Sequence, residues 1–168
     1  SPVPFEFLAF TNYLKQDYSE AKSYIEQGYE IAPFTPLSLL VEGRMHLREK
    51  NYIEALKAFE DSQKGFTGLS AFFEAMAIMG KGVVYAQQGD TDEAKNIIST
   101  LESFGTADGN QSLKGIVKLY LGQTDEGFSI LKKDIQENNP YIYIYSDPIL
   151  DSYKTDSRYK EIIRLYNL

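Results

Sequence analysis

The feature that most constrains the fold is an interval of 34 residues that recurs in the first half of the chain. A shift of this size superimposes residues of similar kind, namely Tyr18 on Tyr52, Ala21 on Ala55 and Ile25 on Phe59. A fixed interval of this length is typical of helical repeat arrays, because one short helical hairpin cannot bury its apolar face alone and must stack on a copy of itself. The interval therefore predicts a helical array that presents a surface, with binding as the class of function.

Small residues mark the same positions in successive copies. Gly43 precedes Ala55 by 12 residues, and Gly82 precedes Ala94 by the same step. We interpret these small residues as points where paired helices approach closely. A degenerate fourth copy carries Gly127 where alanine is expected, which lowers helix propensity by about 1 kcal/mol. We therefore expect the fourth copy to be the more weakly formed.

Apolar residues at three- and four-residue steps, followed by proline or glycine, predict helices. The predicted helices lie near residues 4–15, 18–31, 36–49, 52–64, 70–88, 91–104, 110–121 and 124–137. The alternating segment from Tyr141 to Tyr145 has no partner strand in this pattern, so we expect an extended strap over the last hairpin. Asp147 before Pro148, and Asp156 further on, are predicted caps of closing helices that form an amphipathic lid.

These segments resemble the tetratricopeptide repeat, a 34-residue helix-turn-helix unit with a small residue in each helix. The resemblance covers most of the chain. It implies an all-α fold, a right-handed superhelix (α-solenoid) of about four helical hairpins plus a C-terminal capping segment. The implied repeats are residues 3–33, 36–67, 70–105 and 108–140 within an array over 1–140, followed by the strap and capping helices at 141–168.

The segment from Asp147 to Ile163 resembles the closing segment of tetratricopeptide arrays in bacterial multidomain regulators, with the pattern D-P-x-F-D-x-L-x-x-D-P-R-F-x-x-L-L. Ser157 replaces the second proline of that pattern, and Tyr159 replaces the second phenylalanine. The resemblance implies the C-terminal part of a larger regulator of signal transduction or transcription. On this view the chain is a non-enzymatic module that binds a protein or peptide partner. The alternative is a ligand-sensing or dimerisation domain, as a homodimer, that controls an attached transcription-factor, cyclase or kinase domain.

In this repeat family the first helix of each hairpin lines a concave groove. By that analogy the partner-binding groove would contain Phe10, Tyr13, Leu14, Leu40, Arg44, Leu47, Arg48, Met79, Val83, Gln87, Ile116, Leu119 and Tyr120. Arg44 and Arg48 are four residues apart, so both project from one side of a helix and could share a carboxylate of the partner. The alternative is that these arginines pair with Glu42, Glu49 or acidic residues of neighbouring hairpins.

Composition excludes several other classes of function. A formal net charge of −7 opposes binding to nucleic acid or to an anionic membrane surface. The absence of cysteine agrees with a reducing cytoplasm, and no stretch approaches the length of a membrane span.

The sequence offers little for catalysis or metal binding. His46 is the single histidine, and its position in a helix favours packing. With no cysteine beside it, a zinc site would rely on carboxylates for nearly all its ligands. We therefore expect no enzyme activity, no cofactor and no metal site.

Overall fold

The computed structural model describes residues 1–105, 110–137, 143 and 146–166, and the chain falls into two compact units, residues 1–80 and 81–168. The described residues form helices and no strand, which confirms the predicted all-α class. The helices are α1 (Val3–Leu14), α2 (Tyr18–Ile31), α3 (Pro36–Arg48), α4 (Tyr52–Phe66), α5 (Ala71–Gln88), α6 (Thr91–Ser103), α7 (Asn110–Tyr120), α8 (Thr124–Gln136), a 3-10 helix (Pro148–Tyr153) and α9 (Ser157–Tyr166). Each of the eight predicted repeat helices is present with its ends within two residues of the prediction.

Two of the helices, α2 and α6, begin at aspartates whose side-chain oxygens accept backbone N–H groups. Asp17 accepts the N–H of Glu20 at the start of α2, and Asp90 accepts the N–H of Glu93 at the start of α6. Each carboxylate thus satisfies one of the donors that the first turn leaves unpaired. At the start of α8, Gln123 occupies the capping position, and its side chain makes no capping hydrogen bond.

In the first unit, α1 packs on α2, α3 packs on α4, and α3 also contacts α1 and α2. Phe59 of α4 is fully buried, and its ring lies between two glycines. A Cβ atom built on Gly43 of α3 would lie 2.7 Å from that ring, and one built on Gly80 of α5 would lie 2.5 Å from it. Both glycines therefore make room for the ring; Gly43 is one of the small residues predicted as points of close approach, and Gly80 was not predicted.

In the second unit, Gly82 of α5 lies against Ile97 of α6 and Val117 of α7. Helices α7 and α8 meet through glycines on both sides, because a Cβ on Gly127 would lie 2.9 Å from the carbonyl oxygen of Gly115. The contact explains a glycine at position 127, where helix propensity alone favours alanine. Helix α8 is continuous through this position.

The C-terminal segment docks on the last hairpin of the second unit. The ring of Tyr153 packs edge-on against the rings of Tyr120 and Phe128, with centroids 5.7 and 5.9 Å away. Helix α9 packs on α8, and the guanidinium of Arg158 lies 4.5 Å from the centroid of the Phe128 ring.

The two predicted caps of this segment are confirmed. Asp147 accepts the N–H of Ile149 at 3.0 Å, and Asp156 accepts the N–H of Arg158 at 2.8 Å. Of the predicted strap from Tyr141 to Tyr145, all but Tyr143 lies outside the described residues.

Candidate functional site

The two arginines predicted to bind a partner lie one turn apart on α3, and each stacks on a tyrosine of the first hairpin. The guanidinium carbon of Arg48 lies 4.2 Å from the centroid of the Tyr18 ring, and that of Arg44 lies 5.7 Å from the centroid of the Tyr13 ring. The two tyrosine rings meet edge-on at 5.9 Å. We call these four residues the arginine–tyrosine cluster.

The members of the cluster differ in exposure, and this decides what each can do. Arg44 is 1% exposed and Tyr13 is 2% exposed, so both belong to the core of the first unit. Arg48 is exposed and Tyr18 is half-buried. A partner that approaches the folded unit can therefore contact Arg48 and Tyr18, whereas Arg44 is buried.

The carboxylates proposed as alternative partners of these arginines have other contacts. Glu42 accepts a hydrogen bond from the Tyr29 hydroxyl at 2.7 Å, and Glu49 accepts one from the Asn51 amide at 3.1 Å. Burial of the Tyr29 hydroxyl and its bond to Glu42 both raise the pKa of this tyrosine, so it stays a neutral donor. Glu42 is thereby held on the side of α3 that faces away from Arg48.

Most of the apolar residues predicted to line a groove are buried. The buried members of that set are Phe10, Leu40, Leu47, Met79, Val83, Ile116 and Leu119. Phe10, for example, packs edge-on against Phe73 with centroids 6.2 Å apart. Leu14 is half-buried, and Gln87 is exposed. Tyr120 is half-buried and donates its hydroxyl to the carbonyl oxygen of Ile149 in the C-terminal segment. A shared groove formed by the whole set stays a prediction.

Two open depressions lie on the other side of α3. A cleft of about 190 Å³ runs between α2 and α3, and a groove of about 560 Å³ lies between α3 and α4. Glu42 and His46 line both. Each is two positions from an arginine of the cluster, which places it roughly 160° around the helix from that arginine.

Sequence reasoning missed these depressions. The only signal for them is the spacing of Leu39, Glu42 and His46, three to four residues apart on α3, and this spacing is equally typical of an ordinary half-exposed helix face.

Charges in the second unit are largely paired with one another. A depression of about 480 Å³ between α7 and α8 is lined by Lys114, Glu126 and Asp134, among others. Lys114 forms an ion pair with Glu102 at 3.2 Å, and Lys118 forms one with Glu126 at 2.8 Å. These contacts join neighbouring helices and leave few charges for a ligand.

The buried carboxylate of Asp134 has a structural contact. Asp134 of α8 is 3% exposed and accepts the hydroxyl hydrogen of Ser112 in the first turn of α7 at 2.7 Å. Burial raises the pKa of Asp134, while the hydrogen bonds from Ser112 oppose this change. The pair fastens the start of α7 to the end of α8.

Within residues 1–105, 110–137, 143 and 146–166, no group of three or more histidine, aspartate and glutamate side chains is placed to hold a metal ion. Among the same residues, no helix is long and apolar enough to cross a bilayer. Comparisons with profiles of protein families, with curated proteins and with solved structures found no match. In the described residues the fold is helical, and the first unit carries the exposed contact of Arg48 with Tyr18 and open depressions beside α3.

Proposed function

We propose that this chain is a tetratricopeptide-like interaction module, a right-handed superhelix of helical hairpins that binds a segment of another protein. The recurring close approach at small residues supports this proposal. Gly43 admits the ring of Phe59 in one hairpin, and Gly115 faces Gly127 in another. In both hairpins a glycine of the first helix faces the second helix, and close approach of this kind in successive hairpins is typical of arrays whose units stack to present an extended surface.

The single observation that carries the binding surface is the exposed Arg48 on the ring of Tyr18. Within the described residues the N–H groups of Arg48 make no hydrogen bond, so they are available to a ligand. A guanidinium carries its N–H donors in one plane, and the edge of that plane matches the two oxygens of a carboxylate. We therefore propose that the partner segment carries an acidic group, a glutamate, an aspartate or its C-terminal carboxylate, that binds Arg48.

The experiment uses a dye-labelled peptide, Leu-Glu-Glu-Leu-Asp with a free C-terminal carboxylate, titrated with the full chain and followed by fluorescence anisotropy. Arg48→Glu should weaken binding at least about tenfold, because an attraction becomes a repulsion. Lys95→Glu is the matched control: it makes the same change of charge on an exposed residue of α6 and should leave binding nearly unchanged.

Arg44 is left unchanged in this test because a carboxylate at a position 1% exposed would disturb the core. Equal loss of affinity in the Arg48 and Lys95 variants would show attraction to net charge alone and would contradict the proposed surface.

A second candidate, dimerisation that controls an attached domain of a larger bacterial regulator, is favoured by the outer face of α1. Val3, Phe7 and Leu8 of this helix are 48%, 49% and 41% exposed. Apolar side chains that stand together at a surface mark contact sites. Light scattering of the chain and of a Phe7→Ser/Leu8→Ser variant tests this candidate: a dimer that the variant loses supports this face, whereas a monomeric chain, or a dimer that persists in the variant, rules it out.

A further inference from the structure

The groove between α3 and α4 of the first unit combines an apolar wall with an acidic rim. Leu39 and Ala58 are nearly buried and form its inner surface, and Phe34, in the turn before α3, is 70% exposed at one side. The ring of Phe34 lies 5.3 Å from the ring of Tyr29, centroid to centroid. The groove therefore offers an aromatic face and aliphatic surface to a ligand of about 560 Å³ or less.

The charged residues of the groove favour a cation. Three carboxylates line it, Glu42, Glu54 and Asp61, against one ammonium group, Lys57. Glu54 and Lys57 are exposed and form no ion pair within the described residues, while Asp61 pairs with the exposed Lys64 at 3.2 Å. With His46 neutral, the lining carries a formal charge of −2, three negative charges and one positive charge.

The carboxylate of Glu42 is held in position by the Tyr29 hydroxyl, which donates to it at 2.7 Å. Beside it, the Nδ1 atom of His46 is shielded from solvent and has no hydrogen-bond partner in the described part of the chain. A buried polar atom without a partner is uncommon in folded proteins. Both residues also line the neighbouring cleft of about 190 Å³, so the two depressions share one polar wall.

We propose that this groove binds a short peptide segment in which an aromatic side chain is followed by lysine or arginine. The aromatic side chain packs on Phe34, Leu39 and Ala58. The cation binds the carboxylate of Glu54, Asp61 adds negative charge to the same rim, and Glu42 accepts a further hydrogen bond from the peptide. This site is separate from Arg48, which lies on the opposite face of α3 and selects an acidic segment.

The experiment uses a dye-labelled peptide, Gly-Phe-Arg-Lys-Phe-Gly, with Gly-Phe-Glu-Glu-Phe-Gly as the acidic counterpart. Both are titrated with the full chain, and backbone amide shifts map the contacts by NMR. The basic peptide should shift amides of α3, α4 and the turn around Phe34, and the acidic peptide should leave them unchanged. Basic-peptide shifts spread over other helices would overturn the proposal.

Two variants separate specific binding from general attraction to a negative chain. Glu54→Lys/Asp61→Lys should weaken binding of the basic peptide at least about tenfold. Asp92→Lys/Glu93→Lys makes the same change of net charge on exposed positions of α6 in the second unit and should weaken it less than twofold. Equal losses in the two variants would overturn the proposal.

Phe34→Ser tests the apolar wall without a change of charge and should also weaken the basic peptide several-fold, while unchanged affinity would count against the site. Far-ultraviolet circular dichroism confirms that each variant is folded. Arg48→Glu should leave the basic peptide bound, so failure of this proposal and failure of the proposed function are distinguishable.

Discussion

The guanidinium of Arg48 lies 4.2 Å from the centroid of the Tyr18 ring, so the exposed cation of α3 is held by the first residue of α2. One turn earlier, Arg44 is held over Tyr13 in the core. The stack restricts a long side chain that would otherwise move freely in solvent. A guanidinium that is already restricted loses less entropy when a carboxylate binds it.

The stack predicts a measurable coupling between the two residues. In a double-mutant cycle with Arg48→Ala and Tyr18→Leu, we expect an interaction free energy of about 0.5–1 kcal/mol, the range for exposed cation–π pairs. Urea unfolding of the four proteins measures it. Additive effects of the two substitutions would show that the stack contributes nothing to stability.

We expect the stability of the first unit to be most sensitive to substitution of Phe59. Phe59→Ala should lower the free energy of unfolding by about 3–5 kcal/mol, because it leaves a cavity between Gly43 and Gly80. Gly80→Ala should cost about 1–3 kcal/mol, since its methyl group would overlap the ring.

Ile53→Ala is the matched control for Phe59, because Ile53 lies on the same helix and is 77% exposed. This control should change stability by less than about 0.5 kcal/mol. Thermal and urea unfolding measure all three variants, and a Phe59→Ala protein as stable as the Ile53 control would contradict the described packing.

At position 127, helix propensity favours alanine and packing favours glycine. Alanine would gain about 1 kcal/mol as a helix former. Its methyl group, however, would lie 2.7 Å from a methyl carbon of Leu119 and 2.9 Å from the carbonyl oxygen of Gly115. Because a backbone oxygen cannot move aside cheaply, we expect a net loss of about 1–3 kcal/mol in the free energy of unfolding.

Ser129→Ala is the control for this substitution, since Ser129 lies on the same helix and is exposed. It should be neutral or slightly stabilising. A Gly127→Ala protein that melts above the wild type would show that α7 and α8 do not approach as described.

Asp134 predicts a pH dependence of stability. Its pKa is raised above 3.8 in the folded chain, so the folded state binds this proton more tightly than the unfolded state does. The resulting stabilisation is complete below pH 3.8 and is lost as the pH rises through the raised pKa. In Asp134→Asn, the amide oxygen can still accept the hydroxyl hydrogen of Ser112. The asparagine side chain does not titrate, so this variant does not lose that stabilisation as the pH rises.

The melting temperature of Asp134→Asn relative to the wild type should therefore increase between about pH 3 and about pH 7. Asp92→Asn is the control, because Asp92 is exposed on α6 and should follow the wild type. Parallel melting curves for Asp134→Asn and the wild type at both pH values would contradict the cost of burying this carboxylate.

The helices were predictable from the sequence because their signals are local. Asp90 stands before Asp92 and Glu93, and Pro36 follows Thr35, so the starts of α6 and α3 are defined by neighbouring residues. The small residues also indicated close helix contacts, since their 12-residue spacing recurs. Which side chain occupies each gap was not predictable, because Phe59 reaches Gly80 from 21 residues away.

The candidate site was also predictable only in part. The four-residue spacing of Arg44 and Arg48 predicted a shared helix side, and in the structure both guanidiniums lie over tyrosine rings of the first hairpin, a contact that was not predicted. The spacing did not predict that one guanidinium is buried and the other exposed. Exposure depends on how α1 and α2 cover α3, and that is a property of packing.

The sequence by itself determined the helical class, the helix bounds and the closing caps, because hydrogen bonds between near neighbours define them. Only the tertiary structure decided that Gly127 of α8 lies against α7 and that Asp134 binds Ser112 at the start of α7. It also decided that open depressions lie on the side of α3 opposite its arginines. Each of these depends on atoms from separate helices meeting within a few ångströms, and no local spacing encodes that distance.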